Sequence, residues 1–124
     1  MDEKYHVIST LVENKPGVLQ KVAGLFTRRD FNIDSITVGE SEVDGLARMV
    51  ITVKADEKIL EQVIKQLNKL VDVVKIKDIS KNAVKRELCL VKVNIPNEKA
   101  RAEIMEDANI FRAKIVDVTE ETLI

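Results

Sequence analysis

YHVISTLVENKPGVLQKVAGLF, residues 5–26, changes character at ENKPG. The eight residues before it are rich in β-branched side chains and bounded by charge, which predicts a buried strand followed by a loop. After it, Val18, Leu19, Val22, Ala23, Leu25 and Phe26 recur at three- and four-residue spacing, which predicts a helix ending near Arg28, Arg29 and Asp30. NIDSITV (32–38) is a second β-rich run, and the polar GESEVDG after it, with a glycine at each end, reads as a hairpin loop. LARMVITV (46–53) alternates, placing Ala47, Met49, Ile51 and Val53 on one face and Arg48, Val50 and Thr52 on the other. Asp56 is then an N-cap for a helix with the stripe Leu60, Val63, Ile64 and Leu67, supported by Glu61 four residues before Lys65. VDVVKIKDI (71–79) supplies a fourth strand. Strand, helix, strand, strand, helix, strand is the α+β, ferredoxin-like plan: a four-stranded antiparallel sheet with both helices on one face.

Residues 1–79 thus form one expected domain, and SKNAVKRE (80–87) reads as a short charged linker. The same grammar then restarts over 88–124. ELCLVKVNI reads as a strand, NEKARAEIMEDAN as a helix with Ala100, Ile104 and Ala108 on one side, and FRAKIVDVTEETLI as a strand. This is the first half, βαβ, of a second ferredoxin-like domain. At about forty residues it is too small to fold readily alone. It is expected to pack on the first unit, to pair with another copy, or to be the front of a longer domain.

The chain has 124 residues, 20 basic against 21 acidic. No charge excess points to nucleic acid or to an anionic membrane. Apolar runs of four or five residues and the charged opening MDEKYH predict neither a signal peptide nor a membrane span, hence a cytoplasmic protein. A lone cysteine, Cys89, and a lone histidine, His6, exclude an internal disulfide and make a poor metal set. No phosphate loop, HExxH, GxSxG or CxxC occurs, so neither catalytic residues nor a cofactor are expected. Glu40, Glu42 and Asp44 read as a solvated acidic loop. By parity His6 goes with Ile8, Thr10 and Val12, as a packed or interface residue.

The turn at residues 14–17 remains. With Pro16 as first helical residue, Gly17, Val18 and Leu19 would present backbone N–H groups without intrahelical partners, at the positive end of the helix. Such a start attracts a carboxylate, and a glycine there admits a small anion close to the backbone. Asn14 adds a donor and an acceptor, and Asn32 with Ile33 opens the second strand just after the same helix. A zwitterion with an apolar side chain suits the set. A plain connector is the alternative, since Pro-Gly before a helix is common.

ENKPGVLQKVAGLF, FNIDSITVGESE, ARMVITV and DEKILEQVIKQLNKLVDVVKI, in that order and spacing, resemble the small regulatory subunit of acetohydroxyacid synthase, also called acetolactate synthase. VKRELCLVKV and IFRAKIVDVTEETL extend the resemblance into the second domain of that subunit. The first motif alone indicates an ACT domain, an amino-acid-sensing module, and NIDSITVGESE with LEQVIKQLNKLVDV is far more specific. The resemblance implies ACT domains paired side by side as a homodimer, with a branched-chain amino acid, typically valine, in the groove between protomers. Asn14, Pro16, Gly17, Val18 and Leu19 would meet its charged groups, and Asn32 with Ile33 of the other protomer would complete the pocket. It further implies binding to a catalytic large subunit, activation of that subunit and its feedback inhibition. Thiamine diphosphate, flavin and magnesium would belong to the partner. Family members usually continue through the rest of the second domain, whereas here the sequence stops at Leu123 and Ile124. The alternative from another class is a stand-alone ACT sensor controlling a different enzyme or a transcription factor, for which no helix-turn-helix pattern is found.

Overall fold

The computed structural model describes residues 3–124. The chain divides into two compact units, one ending at Val84 and the other running Lys85–Ile124. In the first, the elements are β1 (Lys4–Glu13), α1 (Val18–Arg28), β2 (Ile33–Glu40), β3 (Leu46–Ala55), α2 (Glu57–Asn68) and β4 (Val73–Asp78). They build an antiparallel sheet in the order β2-β3-β1-β4, the ferredoxin-like arrangement expected from the sequence.

Register follows the hydrophobic alternation. Ile8 lies opposite Ile51, Thr10 opposite Met49 and Val12 opposite Ala47. On the outer strands Ile36 meets Ile51, and Ile76 meets Thr10. This face packs against Val18, Val22, Leu25 and Phe26 of α1 and against Leu60, Val63 and Leu67 of α2, all buried. A one-residue slip would send every one of the strand side chains to the opposite face, so the core itself holds the pairing.

Local signals end the elements where physical chemistry requires. The Asp56 carboxylate accepts the Ile59 N–H at 2.8 Å, capping α2, and Lys65 lies 2.8 Å from Glu61 along that helix. The hairpin loop closes with Gly45 at φ +78°, a conformation that favours glycine. His6, opposite Val53, is buried as its parity predicted, and its Nδ1 has no hydrogen-bond partner.

The second unit comprises β5 (Val93–Asn94), α3 (Glu98–Ile110) and β6 (Thr122–Leu123). Asn97 caps α3 by accepting the Ala100 N–H at 2.8 Å. The strands read over 87–95 and 111–124 are realised only as these two-residue, antiparallel-paired pieces. A strand persists only where a neighbour takes its backbone hydrogen bonds, and among the described residues the pairing beyond Val93–Asn94 and Thr122–Leu123 is limited to the Val118–Leu123 bridge and a few bonds such as Ile95 N–H to the Glu121 carbonyl at 2.7 Å. Ile95 and Leu123 are the buried apolar residues of this unit. Ala100, Ile104 and Ala108, expected on one side of the helix, are all half-buried. No helix among the described residues is long and apolar enough to cross a membrane.

Candidate functional site

The sequence-predicted turn lies between β1 and α1, and its backbone differs from the expectation in one respect. Pro16 is not the first helical residue: Gly17 is the N-cap, at φ +85°, and the helix begins at Val18. Gly17 is therefore demanded by a left-handed backbone rather than by crowding, since a Cβ built there meets nothing within 4 Å. The Pro-Gly turn reverses the chain, and the Val18 N–H reaches the Lys15 carbonyl at a long 3.4 Å. The first intrahelical bond is Lys21 N–H to the Gly17 carbonyl, 3.0 Å. No side chain caps the start, and among the described residues the N–H groups of Gly17, Leu19 and Gln20 have no backbone partner. Of the expected set, Gly17 and Leu19 are open, Val18 is taken by the Lys15 carbonyl, and Gln20 joins them. These donors sit at the positive end of an eleven-residue helix.

Two tethers fix the turn. The Asn14 N–H donates to the Gly45 carbonyl at 2.9 Å, tying the turn to the β2–β3 hairpin. The Glu13 N–H donates to the Asp72 carbonyl at 2.8 Å, tying it to the residue before β4. Asp72 itself is buried, and its carboxylate takes a hydrogen bond from Lys21 Nζ at 2.8 Å. That hydrogen bond and the Lys21 charge, with the more distant Lys15, hold the Asp72 carboxyl below its usual range against the opposing effect of desolvation. Lys15 pairs with Glu13, which raises the lysine above its ordinary value. Alternating charges, Lys15, Glu13, Lys21 and Asp72, therefore flank the open N–H groups. Sequence reading missed Lys21 and Asp72, because 51 residues separate the pair and no local pattern announces it.

Since folding lowers the Asp72 carboxyl, its contribution to stability is present above the ordinary aspartate range and is lost as pH falls through the folded value. Asp72→Asn should therefore lower the urea midpoint at pH 7 and flatten its fall between pH 5 and pH 3. An unchanged acid limb would show that the pair contributes nothing to the turn's hold.

Asn14, Pro16 and Leu19 are exposed and Val18 is buried in the core. Asn32 and Ile33 stand at the far end of α1, which rises about 16 Å over its length. Within one protomer the structure does not bring them to the Gly17 turn. Ile33 begins β2, an edge of the sheet, and that edge carries neither proline nor lysine to discourage pairing. Among the described residues no group of three His, Cys, Asp or Glu is placed to hold a metal ion.

The chain is similar to known proteins over both of its units. Residues 8–75 match the family model described as AHAS small subunit-like ACT domain, and residues 86–124 match the model described as small subunit of acetolactate synthase. A protein of Methanothermobacter thermautotrophicus named probable acetolactate synthase small subunit is 60% identical over 124 residues, covering 99% of this chain and 74% of that one. An acetolactate synthase small subunit of Mycobacterium avium is 49% identical over 124 residues, with the same coverage of 99% and 74%. The crystal structure of the acetolactate synthase small subunit from Thermotoga maritima superposes with a TM-score of 0.80 at 47% identity, covering 97% of this chain and 75% of that one.

Proposed function

The chain belongs to the family of acetolactate synthase small subunits, and from that premise we propose that it is the noncatalytic regulatory subunit of such an enzyme in branched-chain amino acid biosynthesis. It raises the activity of a catalytic large subunit and makes that subunit sensitive to valine or a related branched-chain amino acid. It acts in the cytoplasm.

One observation carries the effector reading: a helix start with open N–H groups at Gly17, Leu19 and Gln20 lies at one end of α1, while Asn32 and Ile33 lie at the other, on a free sheet edge. Joining two copies edge to edge through β2 sets α1 of one protomer antiparallel beside α1 of its partner. The helix start of one chain then meets Asn32 and Ile33 of the second. The carboxylate of the amino acid is received by the N–H groups, its ammonium by the Asn14 side-chain oxygen and the neighbouring Glu13 carboxylate, and its side chain by Leu19 and Ile33. A dimer also removes the exposed strand edge. The pocket exists only in the pair, so effector binding is linked to the dimer.

The test is reconstitution with the cognate large subunit. Adding the chain is expected to raise acetolactate formation, and L-valine is expected to reverse that increase. Calorimetric titration should give one valine per β2–β2 contact half-site, and light scattering should report a dimer. Activity and valine response both unchanged on addition would overturn the proposal.

A further inference from the structure

The sheet face turned away from α1 and α2 carries a cationic cleft that the effector site leaves unexplained. Register places Ser9 and Leu11 of β1, Arg48 of β3, and Lys75 and Lys77 of β4 on this face. With Glu42 they line a shallow cleft of about 150 Å³. Arg48 is fixed at its floor, donating from one nitrogen to Ser9 Oγ at 2.9 Å and from the other to Glu42 Oε1 at 2.6 Å. That arginine, after a hydrogen bond from the Glu42 backbone, helps keep the Glu42 carboxyl below its usual range. Lys75 and Lys77 are exposed, and among the described residues neither has a carboxylate within 4.0 Å.

Two features distinguish this cleft from ordinary solvated charge. Its cations come from two different strands, so their spacing is set by the sheet rather than by a flexible loop. One of the three is held in place by two hydrogen bonds, and its guanidinium fork is already oriented. Net positive charge, three cations to the one carboxylate of Glu42, beside half-buried Leu11 and Val50 is the pattern of an interaction surface with a polar rim.

We propose that this helix-free face docks an acidic segment of the catalytic large subunit, with Asp or Glu side chains of that segment seated between Lys75, Lys77 and Arg48. The inference rests on the reading of the chain as a regulatory subunit and names the surface that reading needs. Charge complementarity decides the occupant: two unpaired lysines beside a preoriented arginine favour a carboxylate-rich strand or loop over a neutral one. A twofold contact centred on the cleft would place the same lysines against one another, which makes a second copy of this chain a poor candidate there. Edge pairing through β2 leaves this face open, so effector and partner occupy different parts of the sheet.

The experiment measures binding of the full chain to the cognate large subunit at low and high salt, for the wild type and for Lys75→Glu/Lys77→Glu. Wild-type affinity is expected to fall with salt. The variant is expected to bind at least about tenfold more weakly and to lose most of that salt dependence, because like charges would then face each other. Lys75→Gln/Lys77→Gln should fall between the two, which separates lost attraction from gained repulsion. Lys58→Glu/Lys69→Glu, the same charge change on and just after α2, should bind as the wild type does, and valine titration should be unaltered in all three. Wild-type affinity and salt slope in the Lys75/Lys77 variants overturn this inference alone, as does an equal loss in the α2 control. No binding by the wild-type chain overturns it together with the regulatory reading.

Discussion

Gly17→Asp is expected to abolish valine binding, lowering affinity more than about a hundredfold, while Gly17→Asn retains most of it. The two replacements differ by a charge and little else. Gly17 stands at φ +85°, where most side chains are strained by roughly 1–2 kcal/mol, so a bare substitution would confuse backbone strain with electrostatics. Asn and Asp both tolerate that region better than other residues, and the space around a Cβ at position 17 is open. What remains is the carboxylate. In Gly17→Asp it would sit beside the open N–H groups of Leu19 and Gln20 and occupy the position the amino acid's own carboxylate must take. Like charges brought together cost several kcal/mol, and each 1.4 kcal/mol is tenfold in affinity. Gly17→Asn keeps the helix start neutral and is expected to weaken binding by less than about tenfold. Calorimetry with L-valine on both variants decides the matter. Equal loss in both would assign the effect to strain, and wild-type affinity in Gly17→Asp would remove the ligand from this turn altogether.

How much of this was legible in the residues can be read element by element. LARMVITV alternates in the sequence and alternates buried with half-buried in β3, because a central strand with one covered face can satisfy its side chains in only one register. Asp56 was legible as a cap for the same reason that it works: a short carboxylate just before an apolar stripe finds the third N–H of the helix. The Pro-Gly turn was legible as a special place, yet its conformation was not. Pro at the first helical position and Gly at a left-handed N-cap use the same dipeptide, and the choice depends on where β1 delivers the chain. The Lys21–Asp72 pair was invisible because it spans 51 residues and depends on where the α2–β4 connection places Asp72 relative to α1. Residues 88–92 and 111–118 carry strand-like sequence without forming strands. Propensity supplies side chains suited to a pleated surface, and only a hydrogen-bonded neighbour makes the surface exist.

Position 26 links the core to the second half of the proposed effector site. Phe26 is 1% exposed, among the largest fully buried side chains, and packs from α1 into the sheet. Phe26→Ala is expected to destabilise the first unit by about 3–5 kcal/mol, a large share of the roughly 5–15 kcal/mol that holds a domain of this size. Urea melts followed by circular dichroism should show the loss as a lower midpoint, and a fall of less than about 1 kcal/mol would contradict the packing. The consequence extends to the proposed ligand site because the ring does not only fill space. Its edge meets Phe31, with centroids 6.3 Å apart and planes at 77°, and the Phe31 N–H donates to the Phe26 carbonyl at 3.0 Å. Those two contacts set the path of the chain into Asn32 and Ile33. Phe26→Leu separates the two roles. It refills most of the cavity and should cost less than about 2 kcal/mol, yet it removes the aromatic edge that positions Phe31. Valine affinity should therefore fall in Phe26→Leu by more than its modest loss of stability would explain, while the Gly17 turn, at the other end of α1, is untouched. Wild-type affinity in a folded Phe26→Leu dimer would mean that Asn32 and Ile33 are held by the β2–β3 pairing alone and that the aromatic pair serves only the core.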